Sequence, residues 1–253
     1  MKMYKTIQDT RTYLEILGEK TADIDRRQCE IFVIPSYTAL EAACAIAQKN
    51  HITLGAQNMA WEEEGAYTGE ISPLMLKEVG VELVEIGHSE RRHVFSEDDI
   101  MENRKVHAAL RNGLRPLLCV GENGEQKRYK INSEVIRTQI KVGLYGISSS
   151  QARSLMIAYE PVWAIGENGT PASKEYTNEM HGMIKEVLAE LFGKDTAGEI
   201  PVLYGGSVNA ENAPRFMEMP CVDGLFVGRS AWDGKKFAEM IYDVIATKST
   251  HST

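Results

Sequence analysis

Seven short runs of apolar, β-branched-rich residues recur along this chain, each separated from the next by a longer amphipathic stretch. The runs fall at 31–34, 52–55, 83–86, 115–120, 155–159, 201–204 and 224–227. Helix-like segments fall at 5–17, 38–49, 73–79, 98–112, 132–144, 174–192, 210–218 and 234–247. Repeated βα units imply a parallel sheet, because a parallel neighbour is reached only through a crossover. Strands this apolar are expected to be covered on both faces. A doubly wound open sheet meets both conditions, but eight helices among regularly spaced strands favour an α/β fold of the (β/α)8 barrel type, one domain over residues 1–253. Ser96-Glu97-Asp98-Asp99 has the spacing of a capping box ahead of the segment at 98–112. A barrel of this type opens on a strand, whereas a helical pattern is already present at Lys5-Thr6-Ile7. The first strand is therefore expected to be largely missing from this N-terminus, leaving residues 1–4 as its tail or placing its body upstream of Met1.

Length and charge narrow the chemistry. A chain of 253 residues suits one α/β barrel, and a net charge of −8 argues against a general nucleic-acid binder. Cys29, Cys44, Cys119 and Cys221 are far apart and form no C-x-x-C pair, so neither a zinc site nor a disulfide framework is expected. Reduced thiols, no signal-peptide pattern and no apolar run of membrane-spanning length point to a cytoplasmic protein without a membrane partner.

In a barrel, chemistry gathers at the C-terminal ends of the strands. The run at 155–159 ends on Glu160 and continues as Pro161-Val162-Trp163-Ala164-Ile165-Gly166. A strand-end glutamate ordinarily marks a solvated turn; one followed by a large ring and a glycine-rich loop also suits a base covered by an apolar lid. The run at 83–86 is followed by Gly87-His88-Ser89-Glu90, that at 115–120 by Gly121-Glu122, that at 201–204 by Gly205-Gly206-Ser207, and that at 224–227 by Gly228-Arg229-Ser230. Each is weak alone, since glycine suits any tight βα turn. Together they place a histidine, a carboxylate and two glycine-rich turns at one mouth.

The stretches EIGHSERR, LCVGE, AYEPVWAIG, LYGGSVNAENA and GLFVGRSA, in this order, closely resemble the triosephosphate isomerase family, as does GAQNMAWEEEGAYTGEISPLMLKEVGV. The resemblance runs from Lys2 to the last helix. It implies a cofactor-independent and metal-free isomerase that moves a carbonyl along a small sugar phosphate through an enediolate. By resemblance Glu160 is the base and His88 the electrophile, a neutral imidazole at a helix start, an assignment established for that family and carried over here. Lys2 matches the lysine that steadies negative charge, and Glu90 matches a carboxylate that meets it. Gly166 in the lid, Ser207, and the Gly228-Arg229 turn match the phosphate clamp. Cys119 and Glu122 are expected to pack and support. The loop around Thr68 matches a segment that reaches into a second subunit, which implies a homodimer.

Three departures bear on substrate. An Asn-x-Lys pattern is reduced to MKMY, the lid reads AIGENGTPAS instead of a Gly-x-Gly-x-Thr-Ala pattern, and a usual Gly-Gly pair is Gly228-Arg229. The last two resemble a branch that isomerises a four-carbon ketose phosphate such as erythrulose phosphate. Three readings follow: a triosephosphate isomerase, a tetrulose-phosphate isomerase on the same scaffold, and a sugar-phosphate-binding protein impaired by its short N-terminus.

Overall fold

In the computed structural model, which describes residues 1–166 and 169–251, seven strands pair in parallel in the order they occur in the chain. These are β1 (Phe32–Val33), β2 (Thr53–Ala56), β3 (Leu83–Ile86), β4 (Arg115–Val120), β5 (Met156–Tyr159), β6 (Val202–Tyr204) and β7 (Gly224–Leu225). The register aligns Leu83 with Arg115, Cys119 with Ala158, and Ala158 with Leu203. Because side chains alternate along a strand, this register divides the strand residues between two faces. Leu83, Leu117, Cys119, Met156, Ala158 and Leu203 pack with Ile34 as a small inner cluster, against which Phe32 and Phe226 lean. Val84, Ile86, Leu118, Val120, Ile157, Tyr159, Val202 and Tyr204 join the larger cluster shared with the helices. A sheet that packs against itself on one face and against helices on the other is curled into a barrel. The Phe32 and Phe226 rings, 6.0 Å apart, bring the β1 and β7 sides of the curl together.

Residues 1–4 form no strand, but they lie where the first strand is expected to end. The Met1 nitrogen donates to the Ile34 carbonyl at 2.8 Å, Gln57 donates to the Lys2 carbonyl at 2.7 Å, and the Tyr4 ring is 4.2 Å from that of Trp232. The tail thus spans from the end of β1 to the turn after β7. The described residues supply seven strands of a (β/α)8 barrel of the triosephosphate isomerase type, and residues 1–4 add no strand to them.

Local chemistry shifts two helix starts. The first helix is Ile7–Lys20 and not 5–17, because Lys5 has φ +69° and Thr6 forms a reciprocal cap with Asp9. After β3, the cap of the helix Asp99–Arg111 is Asp98, whose side chain accepts from the Met101 N–H, and not Ser96, which has φ +59°. Asp99, three places after Ser96, pairs with Arg92 and does not close a capping box, while Glu97 turns inward to Arg91 and Lys105. The short helices Gly124–Arg128, Ser149–Ala152 and Lys194–Gly198 carry too few turns for an amphipathic period to show.

Candidate active site

Glu160 follows β5 directly, and its backbone N–H donates to the Val120 carbonyl at 2.7 Å, so the sheet ladder fixes its position. Its side chain is 4% exposed. Glycines on the neighbouring strand ends make room for it. A Cβ on Gly121 would come within 1.9 Å of the Glu160 carbonyl oxygen, and one on Gly205 within 2.9 Å of the Glu160 Cγ. The glycine-rich turns therefore have a steric cause at the carboxylate itself.

His88 caps the helix Ser89–Val94, and its Nδ1 accepts the Glu90 backbone N–H at 3.1 Å. An accepting Nδ1 leaves the ring proton on Nε2. That nitrogen points into the mouth, 3.3 Å from Glu160 Oε1 and 3.9 Å from Glu85 Oε1. The other Glu160 oxygen accepts the Ser89 N–H at 3.2 Å. Burial raises the Glu160 pKa to about 7, against the lowering effects of the Ser89 N–H, the Lys2 charge and the Cys119 thiol. A carboxylate tuned to neutrality beside an imidazole N–H can take a proton from carbon and return it, while the ring polarises an adjacent oxygen.

Lys2 and Glu90 form an ion pair of 2.6 Å at the edge of the mouth. Burial pushes the Glu90 carboxyl up, but the Lys2 ammonium more than offsets this and holds it below its usual range. Of the phosphate-side candidates, Ser207 reaches the segment after Glu160, and Gly228 and Arg229 stand at the turn after β7. Ser207 donates to the Ala164 carbonyl at 2.6 Å, Gly166 has φ +91°, and Gly228 precedes the 3-10 turn Arg229–Ala231. Among the described residues, Gly166, Ser207 and Gly228 make no hydrogen bond to the Glu160 or His88 side chain. Glu167 and Asn168 of the AIGENGTPAS segment lie outside the described residues.

The 3-10 turn Val162–Ala164, where the expected lid begins, is anchored by Glu122, which is fully buried and accepts from Trp163 Nε1 at 2.8 Å, Tyr176 OH at 2.8 Å and Tyr159 OH at 3.1 Å. The Lys127 ammonium stands 3.1 Å from the centroid of the Trp163 ring. Cys119 is buried with its Sγ 4.0 Å from Glu85 Oε1.

Glu85 has no counterpart in the sequence reading. Within the tetrapeptide Leu83-Val84-Glu85-Ile86 a lone glutamate carries no signal of its own. Its one available clue is the period of two, which puts position 85 on the same face as Leu83 and three residues before His88. Burial raises its pKa to about 7, the neighbouring His88 opposes this, and the Glu160 charge adds to it. Glu85, His88 and Glu160 offer atoms within 4.8 Å of one another, a spacing that a divalent cation also fits. An ion bound there would occupy the Glu160 carboxylate, so ion binding and proton abstraction exclude each other.

Residues 1–244 match the family model for triosephosphate isomerase. The chain is 42% identical to an L-erythrulose-1-phosphate isomerase of Rhizobium etli over 97% of its own length and 90% of that protein's. It is 44% identical to a triosephosphate isomerase of Acetivibrio thermocellus over 90% and 89%, and 43% identical to one of Aquifex aeolicus over 95% and 96%. With this match added to the curled parallel sheet and the strand-end carboxylate and histidine, the chain belongs to the triosephosphate isomerase family.

Proposed function

We propose that the protein interconverts small ketose and aldose phosphates by proton transfer through an enediolate, without a cofactor. The single observation that carries this reading is the buried Glu160 carboxylate, with a pKa of about 7, lying 3.3 Å from His88 Nε2. In this reading Glu160 removes the proton beside the carbonyl and returns it to the neighbouring carbon. His88 donates from Nε2 to the substrate oxygens, Lys2 balances the charge that develops on them, and Glu90 holds Lys2 in place. Gly166, Ser207, Gly228 and Arg229 receive the phosphate at the lid base. The reaction is triosephosphate isomerisation, glyceraldehyde 3-phosphate to dihydroxyacetone phosphate.

A second reading is a tetrulose phosphate, supported by the Gly228-Arg229 turn and by relatives named L-erythrulose-1-phosphate isomerase in Rhizobium etli and Brucella abortus. The protein works in the cytoplasm as a homodimer through the loop around Thr68. Supporting that assembly, residues 64–70 are exposed, and Leu74 and Met75 just after them are exposed apolar side chains.

The test is kcat/KM for glyceraldehyde 3-phosphate and for L-erythrulose 1-phosphate on one preparation. Turnover of both is expected. A hundredfold preference for the triose would remove the tetrulose reading, and the reverse would remove the triose. Activity on neither would leave a sugar-phosphate-binding protein.

A further inference from the structure

L-Erythrulose 1-phosphate is dihydroxyacetone phosphate with one hydrogen on the hydroxymethyl carbon replaced by a second hydroxymethyl group. The added group therefore sits on the carbon that loses its proton, at the end of the molecule away from the phosphate. If the base reaches that carbon, the added hydroxyl lies within one further C–C and C–O bond of the Glu160 and His88 side chains. What the barrel presents in that volume decides whether the fourth carbon is welcome.

It presents Glu85. This carboxylate stands on β3, three and four places along the sheet from β6 and β7, whose turns hold the phosphate-side candidates Ser207, Gly228 and Arg229. It therefore faces the mouth from the side away from the phosphate. Its Oε1 is 3.9 Å from His88 Nε2, and one of its oxygens is within 4.8 Å of ligand atoms of both His88 and Glu160. Below it the barrel is apolar, with Leu83, Leu117, Met156, Ala158 and Leu203 closing the interior. Among the described residues its only hydrogen bond is the weak one from the Cys119 thiol at 4.0 Å. The Met1 α-ammonium and Lys2 act on Glu85 through their charge and not through a hydrogen bond. A group 8% exposed thus keeps bonding capacity free toward the reacting atoms, which is costly unless something else bonds it.

We propose that Glu85 is a specificity-determining residue that accepts a hydrogen bond from the terminal hydroxyl of a four-carbon ketose phosphate, so that the site takes the tetrulose as well as the triose. The inference rests on the proposed isomerase function and names a substrate of that same site. No covalent step is added: Glu160 still moves the proton, and Glu85 holds the group attached to the carbon from which it comes. A site built around a hydrogen bond to a substrate hydroxyl discriminates far more strongly than an apolar pocket discriminates one carbon.

The test compares purified full-length protein with Glu85→Val and Glu85→Gln, assaying dihydroxyacetone phosphate and L-erythrulose 1-phosphate. The readout is the ratio of kcat/KM for the tetrulose to that for the triose, which cancels any general loss of activity. A hydrogen bond to a charged acceptor contributes about 1.5–3 kcal/mol, so the ratio should fall about 10- to 150-fold in Glu85→Val. Valine suits the apolar surroundings, and circular dichroism checks its fold. Should it fail to fold, the near-isosteric glutamine variant decides, with a fall in the ratio again expected. A ratio within threefold of the parent's in a folded variant overturns the proposal, as does a parent protein that turns over the triose alone. Activity of the parent on neither substrate overturns the isomerase reading itself, a distinct outcome.

Discussion

In the proposed function Glu160 is the base, and its burial makes its behaviour calculable at the level of one side chain. A carboxyl raised to about 7 must lose its proton before it can accept one, so kcat/KM is expected to fall as the pH drops through about 7. An acid limb with its midpoint below pH 5 would assign the base to an ordinary carboxyl elsewhere. Shortening the side chain tests position: Glu160→Asp withdraws the carboxylate by about 1 Å, a misplacement expected to cost about 100-fold in kcat with phosphate-ligand affinity little changed. A variant keeping near-parent kcat would remove Glu160 from the role. At this scale the sequence is partly legible. Glu160, His88 and the Lys2–Glu90 pair can be named because each ends a run or belongs to a multi-residue motif. Glu85 cannot, because an inward-facing strand residue meets its partners only after the barrel has curled.

At the scale of elements, the lid and its anchor belong to different parts of the chain. Trp163, in the lid, donates to Glu122 after β4, and Tyr176, at the start of the helix Lys174–Phe192, donates to the same oxygen. Any lid movement that carries the Trp163 ring must break its bond to Glu122 and its contact with Lys127. Trp163→Phe keeps a ring of similar shape but has no N–H to donate. With that hold gone, the balance between lid positions shifts, and kcat is expected to change severalfold while the melting temperature moves by only a degree or two. A drop of about 10 °C would instead make the Trp163–Glu122 bond a mainstay of the fold. The strands themselves are legible from their apolar runs to within two residues, and so is their parallel order. The helix starts are less so. A left-handed Lys5 and Ser96 are set by the chain's route into the helix, and Asp99 is diverted to Arg92, a partner that a capping pattern does not register.

At the scale of the whole molecule, burial of charge has a consequence for stability that separates cleanly from catalysis. Glu102 is fully buried, neither of its oxygens has a hydrogen-bond partner among the described residues, and its pKa is raised to about 7, by burial first and opposed by Arg92 and Lys105. The ordinary value is 4.5, so the folded protein holds this proton more tightly than the unfolded chain does. Stability from this group therefore falls as the pH rises from about 4.5 to about 7 and stays reduced above. His181 acts in the opposite sense. Burial lowers it to about 4, so it favours the folded state increasingly as the pH rises from about 4 to about 6.5. The melting curve of the parent alone cannot separate the two, but a variant can. Glu102→Met replaces the carboxyl by an apolar chain of similar length. Arg92 keeps Asp99 and the Gly87 and Cys119 carbonyls, and Lys105 keeps Glu97 and Asn58, so neither cation is orphaned. The penalty removed is at most about 3.5 kcal/mol, from about 1.4 kcal/mol per pKa unit over the rise from 4.5 to about 7. For a chain of this size each kcal/mol moves the melting temperature by roughly 2–4 °C. Glu102→Met is therefore expected to melt several degrees above the parent at pH 8, with the gap narrowing toward pH 5, where the parent's carboxyl is protonated when folded. A gap that is absent at pH 8, or the same at both pH values, would show that the Glu102 charge is already compensated in the fold.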